Sequence, residues 1–253
     1  MPRIERDGVH LHYEDHGRGT AVLLTHGYTA TTRMWDPQVR GLAERYRLIL
    51  WDMRGHGESD SPDDPAAYSH ATTVADMAAV LDACGVERAV IGGLSLGGFM
   101  SLAFYLEHAD RVCALMLFDT GPGYKKDVAR AQWNQLAEDY ARRFETQGLA
   151  ALGGGAEVRI AEHRSARGLA LAARGMLAQQ DARVIEALPS IAVPTLLLAG
   201  SEDKPFLTGM DYMQAKIPGA EKALIEGAGH TPNLERPEAF NQAVAAFLDR
   251  ALQ

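Results

Sequence analysis

Short unbroken apolar runs alternate along this chain with longer stretches in which apolar residues recur every three or four positions. The runs are Ala21–Thr25, Leu48–Trp51, Ala89–Leu94, Arg111–Phe118, Ile191–Ala199 and Lys222–Ile225. Most are rich in Val, Ile and Leu and lack the in–out alternation of a half-exposed strand, so they read as strands buried on both faces. The intervening stretches read as amphipathic helices: 32–43 through Met34, Trp35, Val39 and Leu42, and 71–83 through Val74, Met77 and Leu81. Two more are expected from Leu96 to Glu107 and from Pro237 to Leu252. Strand, helix, strand, helix predicts a mostly parallel, doubly wound α/β sheet covered on both faces. Ahead of it, residues 3–15 predict two short strands around the turn Arg6-Asp7-Gly8, with His10, His12 and His16 expected on a solvated strand face.

The pattern changes between residues 124 and 188, where strand signals vanish. Helices are expected over Val128–Phe144, Ala161–Ala173 and Met176–Leu188, with a loop at Gly153-Gly154-Gly155. A helical insertion between two sheet strands reads as a small cap lying over a site at the sheet rim. The expected division is a core of 1–123 and 189–253 with a cap of 124–188. Trp133, Tyr140 and Met176 are candidates to line a substrate pocket beneath it, although such residues more often pack a cap together.

Composition narrows the function. At 253 residues, 47% apolar and 23% charged, the chain suits one large soluble domain. A net charge of −8 argues against a nucleic-acid partner. No apolar run is long enough to span a bilayer and residues 1–8 lack a signal-peptide core, so no membrane partner and a cytoplasmic location are expected. Cys84 and Cys113 have no CxxC partner and are expected to be buried reduced thiols. No metal, nicotinamide or flavin motif is present, so no cofactor is expected.

The chemistry-bearing residues fall where the buried runs end. His26-Gly27-Tyr28 follows the first run, Asp52–Asp60 the second, Asp119 the fourth, Asp203 the fifth and His230 the last. Between them, Gly93-Leu94-Ser95-Leu96-Gly97 joins a strand to a helix. A serine at the apex of so sharp a turn needs small residues two places away on either side, where strand and helix nearly touch. It also leaves the Leu96 N–H free at a helix N-terminus, where developing negative charge can use it. Asp52 and Arg54 are expected to form a structural ion pair, and His26 and His56 to brace their loops.

Taken together, His26-Gly27-Tyr28, Asp52-x-Arg54-Gly55-x-Gly57-x-Ser59, Gly93-x-Ser95-x-Gly97, Gly200-x-x-Asp203 and Gly229-His230 resemble the α/β-hydrolase family over nearly the whole chain. Within it, the sequence is most similar to small capped bacterial esterases and enol-lactonase-like hydrolases. The resemblance implies Ser95 as nucleophile, His230 as general base, Asp203 as the acid that orients it, and the Tyr28 and Leu96 N–H groups as oxyanion donors. Asp119 is the alternative acid, since some relatives carry theirs after that strand. Serine at the elbow implies acyl transfer from a small ester or lactone to water. The same residues also suit haloperoxidase, perhydrolase or carbon–carbon bond hydrolase activity, and a non-catalytic ligand receptor on this fold is the reading from a different class.

Overall fold

The computed structural model describes residues 2–253. Its strands are β1 (Arg3–Arg6), β2 (Val9–His16), β3 (Ala21–Thr25), β4 (Arg47–Trp51), β5 (Ala89–Leu94), β6 (Val112–Phe118), β7 (Thr195–Gly200) and β8 (Glu221–Ile225). They form one eight-stranded sheet in the order β1-β2-β4-β3-β5-β6-β7-β8. β2 runs antiparallel to both of its neighbours, β1 at the edge and β4, and every other pairing is parallel. The long helices are α1 (Asp36–Leu42), α2 (His70–Ala83), α3 (Leu96–Glu107), α4 (Asp127–Gln147), α8 (Lys204–Lys216) and α10 (Pro237–Ala251). Shorter ones are α5 (Ala156–Ile160), α6 (Ala166–Ala172), α7 (Arg183–Ala187) and α9 (Pro232–Glu235).

Period-two alternation along the buried strands divides the core between the two faces of the sheet. Leu23, Ile49, Ile91, Leu115 and Leu197 point to the face packed by α2, α3 and α8. Val22, Leu24, Leu48, Leu50, Val90 and Leu196 point to the other, against α1 and α10. All five residues of β3 and all six of β5 are buried, so apart from Thr25, whose hydroxyl accepts the Trp51 indole N–H, no position in these strands is polar. From β3 the chain steps outward to β4, returns to β5 beside β3, and then proceeds the other way. The strand order therefore reverses between β3 and β5, and in such sheets the crevice that takes the ligand is usually found beyond the carboxyl ends at this point.

Several expectations are corrected. His12 is 1% exposed rather than solvated: its Nε2 faces Glu14 Oε1 at 3.3 Å, and the contact holds the Glu14 carboxyl down at about 2 against the opposing effect of burial. Its strand lies next to the sheet edge, so the alternation that hides Leu11 does not expose its neighbour. Cys84 and Cys113 are free but only half-buried. The expected 32–43 helix begins as a 3₁₀ turn over Thr32–Trp35 before α1. In the 124–188 segment, the helix expected over 161–173 starts only at Ala166, capped by Ser165, whose hydroxyl accepts the Gly168 N–H. The one expected over 176–188 is split into a π turn (Ala173–Leu177) and α7. Among the described residues that segment contains no strand, and no helix is long and apolar enough to cross a membrane.

Asp52 and Arg54 do not pair with each other. Arg54 makes a two-pronged bond to Asp76 of α2, at 2.7 and 2.9 Å, and Arg6 adds a third contact at 2.6 Å. Asp52 instead accepts the N–H groups of Thr32 (2.7 Å) and Glu58 (2.9 Å) and so shapes the loop after β4. The reason is reach: side chains two residues apart in a tight turn point away from each other, while Asp76 faces the loop from the helix beneath it. Arg54 and Asp76 are 3% and 0% exposed. Asp76→Ala, which leaves Arg54 charged and buried, is expected to cost about 3–5 kcal/mol in urea unfolding. A loss of about 1 kcal/mol or less, typical of exposed pairs, would contradict that role.

Candidate active site

Ser95 ends β5 with φ 55° and ψ −114°, a backbone conformation that non-glycine residues rarely occupy. Such a residue stores about 1–3 kcal/mol and persists only where its surroundings over-determine it. They do so here. A Cβ on Gly97 would overlap the Thr25 carbonyl, and one on Gly93 would run into the Gly97 backbone. Ser95 N–H donates to Phe118 O (2.9 Å), and Thr120 Oγ1 donates to Ser95 O (2.6 Å). Ser95 thus stands beyond the end of β5 at the head of α3, partly exposed. Gly27 lies directly across, so close that a Cβ there would sit 3.5 Å from Ser95 Cβ. Tyr28 therefore follows a glycine packed against the serine, and Leu96 opens α3 directly after it.

A ladder of bonds links the neighbouring strand ends. Asp119 N–H donates to Leu198 O (3.0 Å), and Glu202 N–H to Ala228 O (2.9 Å). At its far end His230 Nδ1 meets Asp203 Oδ2 at 2.7 Å. The Asp203 side chain is 8% exposed and that of His230 36%, so the carboxylate is sealed while the imidazole faces the crevice. Phe206, one turn into α8, lays its ring over the imidazole with centroids 4.7 Å apart. Glu235 holds the loop that presents His230, accepting the N–H groups of Gly229 (2.8 Å) and Thr231 (3.1 Å) and the Thr231 hydroxyl (3.0 Å). Burial works to raise the Glu235 carboxyl, but these donors outweigh it and leave it below its usual range.

Asp119 is close by but differently employed. It is 1% exposed, its Oδ1 accepts the Gly200 N–H (3.0 Å), and its Oδ2 has no partner. Burial, reinforced by the negative charges of Asp203 and Glu235, raises this carboxyl far above the usual range. One ligand atom each from Asp119, Asp203 and His230 lies within 4.8 Å of the others. That donor set is poor for a metal, because the Nδ1 edge of the imidazole is already engaged by Asp203.

Beneath the crevice lies a stack of imidazoles. His26 and His56 pack with ring centroids 5.0 Å apart, and His56 and His163 at 5.7 Å. His26 Nδ1–H donates to Gly27 O (2.7 Å) while Nε2 accepts the Met53 N–H (3.0 Å), which requires the neutral ring. His56 Nδ1 bonds Arg54 O (3.1 Å) and its Nε2 is unpartnered. Burial drives His26 down to about 3 and His56 well below its usual value. An unfolded chain protonates these rings near pH 6.5, so their contribution to stability is complete above that pH and is lost as pH falls towards 3. Each is expected to remove about 1.4 kcal/mol per pH unit between pH 6.5 and 5, above the carboxylate range. Urea melts at pH 7.5 and 5.5 check this; equal stability at both would contradict it.

Tyr28 joins this stack to the helical segment. Its hydroxyl donates to Leu169 O of α6 (2.8 Å), and its ring packs edge-on against Tyr140 and Phe144 of α4. Of the pocket candidates, Met176 is 1% exposed and the Trp133 indole N–H is spent on Leu177 O (2.8 Å). Both therefore hold the segment together, while Tyr140 stands beside Tyr28. Glu235, Phe206 and His163 escape a reading of the chain in order, the last two because each acts on a loop that only folding brings near. For Glu235 alone there is a local signal, since it lies one turn beyond Thr231, the N-cap of α9.

Residues 20–156 match the sequence model of the alpha/beta hydrolase fold. The chain is 30% identical to 3-oxoadipate enol-lactonase 1 of Acinetobacter baylyi, over 90% of this chain and 88% of that protein. It is 31% identical to a pimeloyl-[acyl-carrier protein] methyl ester esterase of Xanthomonas campestris pv. campestris, over 94% and 98%. Its structure superposes on that of a thermophilic esterase from Thermogutta terrifontis with a TM-score of 0.86 at 28% identity, covering 99% of both chains.

Proposed function

This chain belongs to the alpha/beta hydrolase family, and we propose that it is a serine hydrolase that opens small carboxylic esters or lactones through an acyl-enzyme on Ser95. The observation that carries the reading is the strained Ser95 turn at the same sheet rim as the bonded His230–Asp203 pair. Donating the Nδ1 proton to Asp203 leaves Nε2 with its lone pair, the form a general base needs. Ser95 Oγ attacks the carbonyl carbon as its proton passes to His230. The tetrahedral oxyanion is received by the N–H groups of Leu96 and Tyr28, each such donor being worth about 2.7–4 kcal/mol. His230 returns its proton to the departing alcohol or ring oxygen. It then deprotonates the water that cleaves the acyl-enzyme, releasing the acid and restoring Ser95.

The 124–188 segment serves in this reading as the cap, with Tyr140 facing the acyl group. The named activities of the enol-lactonase and the two esterases support this substrate class. A panel of p-nitrophenyl esters of graded chain length, together with five- and six-membered lactones, tests it. Turnover of at least one ester or lactone, lost on pretreatment with a phosphonate, is expected. Wild-type rates equal to those of the uncatalysed reaction across the panel would favour the receptor reading instead.

A further inference from the structure

We propose that His163, carried by the 124–188 segment between α5 and α6, is a positioning residue for the Tyr28 oxyanion donor; this rests on the hydrolase reading above. His163 adds, from the helical segment, a bridge between two core loops that His26 and Asp52 tie together elsewhere. Its Nε2–H donates to Thr29 O (2.9 Å), in the loop after β3. Its Nδ1 accepts the Gly57 N–H (3.2 Å), in the loop after β4. The bonds dictate a single neutral tautomer, with the proton on Nε2.

Thr29 is what makes the contact consequential. It has φ 62°, a left-handed conformation unusual for a β-branched residue and one that needs outside support. It directly follows Tyr28, so the rotation stored at Thr29 orients the Tyr28–Thr29 peptide, the unit next to the one that carries the Tyr28 N–H. The Thr29 hydroxyl donates back to Tyr28 O (2.6 Å), and the Thr29 carbonyl is held by His163. On its other flank Tyr28 is held by the bond to Leu169 O. Both restraints come from the helical segment, so that segment fixes the oxyanion loop as well as covering the crevice. A buried glycine supplies the far anchor, because Gly57 packs so tightly on the Asp52 carboxylate that no side chain fits there.

Replacing His163 with near-isosteres separates its two bonds. Gln places an amide N–H where Nε2 stood and preserves the bond to Thr29. Asn places its oxygen where Nδ1 stood and preserves only the bond to Gly57. His163→Ala and His163→Asn are expected to lower kcat for the best panel ester by about 10–100-fold, the cost of a small misplacement of a catalytic group, with KM little changed. His163→Gln is expected to recover most of the loss. Affinity for a trifluoromethyl ketone, which adds Ser95 to form a tetrahedral oxyanion, should fall with kcat across the series. A merely structural histidine would change the melting temperature without this parallel, and would not rank Gln above Asn. Wild-type kcat in all three variants, or equal losses in Gln and Asn, overturns the proposal while leaving Ser95 as nucleophile. An inactive wild-type panel overturns the underlying reading instead.

Discussion

Replacing Ser95 with alanine is expected to lower kcat on the best panel ester by about a million-fold, the scale on which removing the nucleophile disables a serine–histidine–acid unit. Folding survives the change, because alanine keeps the Cβ that the turn already accommodates and the bonds that fix the elbow run through the backbone of residue 95. The expected result is a folded protein with an unaltered urea midpoint and only residual hydrolysis from oxyanion binding. Retention of a tenth or more of the wild-type rate would mean that another group attacks.

The second large effect separates the two acids. Asp203→Asn removes the acceptor that fixes the His230 tautomer and is expected to lower kcat by about ten-thousand-fold. Asp119→Asn is expected to leave kcat close to wild type, since the amide oxygen preserves the acceptor for the Gly200 N–H and His230 Nδ1 bonds Asp203. The contrast follows from geometry: Asp203 reaches His230 Nδ1 at 2.7 Å, whereas Asp119 points an unpartnered oxygen into a sealed space already carrying Asp203 and Glu235 nearby. Steady-state rates of the two variants decide the matter, and the reverse order would move the acid to the end of β6.

The sheet was legible in the chain because strands buried on both faces leave unbroken apolar runs that nothing else explains. The elbow was legible for a local reason: Gly93 and Gly97 are demanded by contacts within a few residues of Ser95. Where partners come from distant elements the sequence is mute. Asp52 and Arg54 stand two residues apart and invite pairing, yet Asp76 of α2 takes the arginine. His12 alternates with apolar neighbours as a solvated residue would, yet Glu14 and the adjoining loop cover it. The choice between Asp119 and Asp203 needed the direction of two side chains, which spacing does not encode. In the helical segment, helix-forming composition ran through residues 161–165 and 178–182, and the observed breaks follow from tertiary contacts. One of these is the His163 bridge between two core loops, invisible until those loops are placed side by side.

The most direct test of a nucleophilic serine at this rim is covalent capture. Wild-type protein treated with a fluorophosphonate is expected to gain the mass of one phosphonyl group, mapped by peptide sequencing to Ser95 and absent from Ser95→Ala. An adduct on any other residue, or a wild type left unmodified while a control serine esterase reacts fully, would contradict the account.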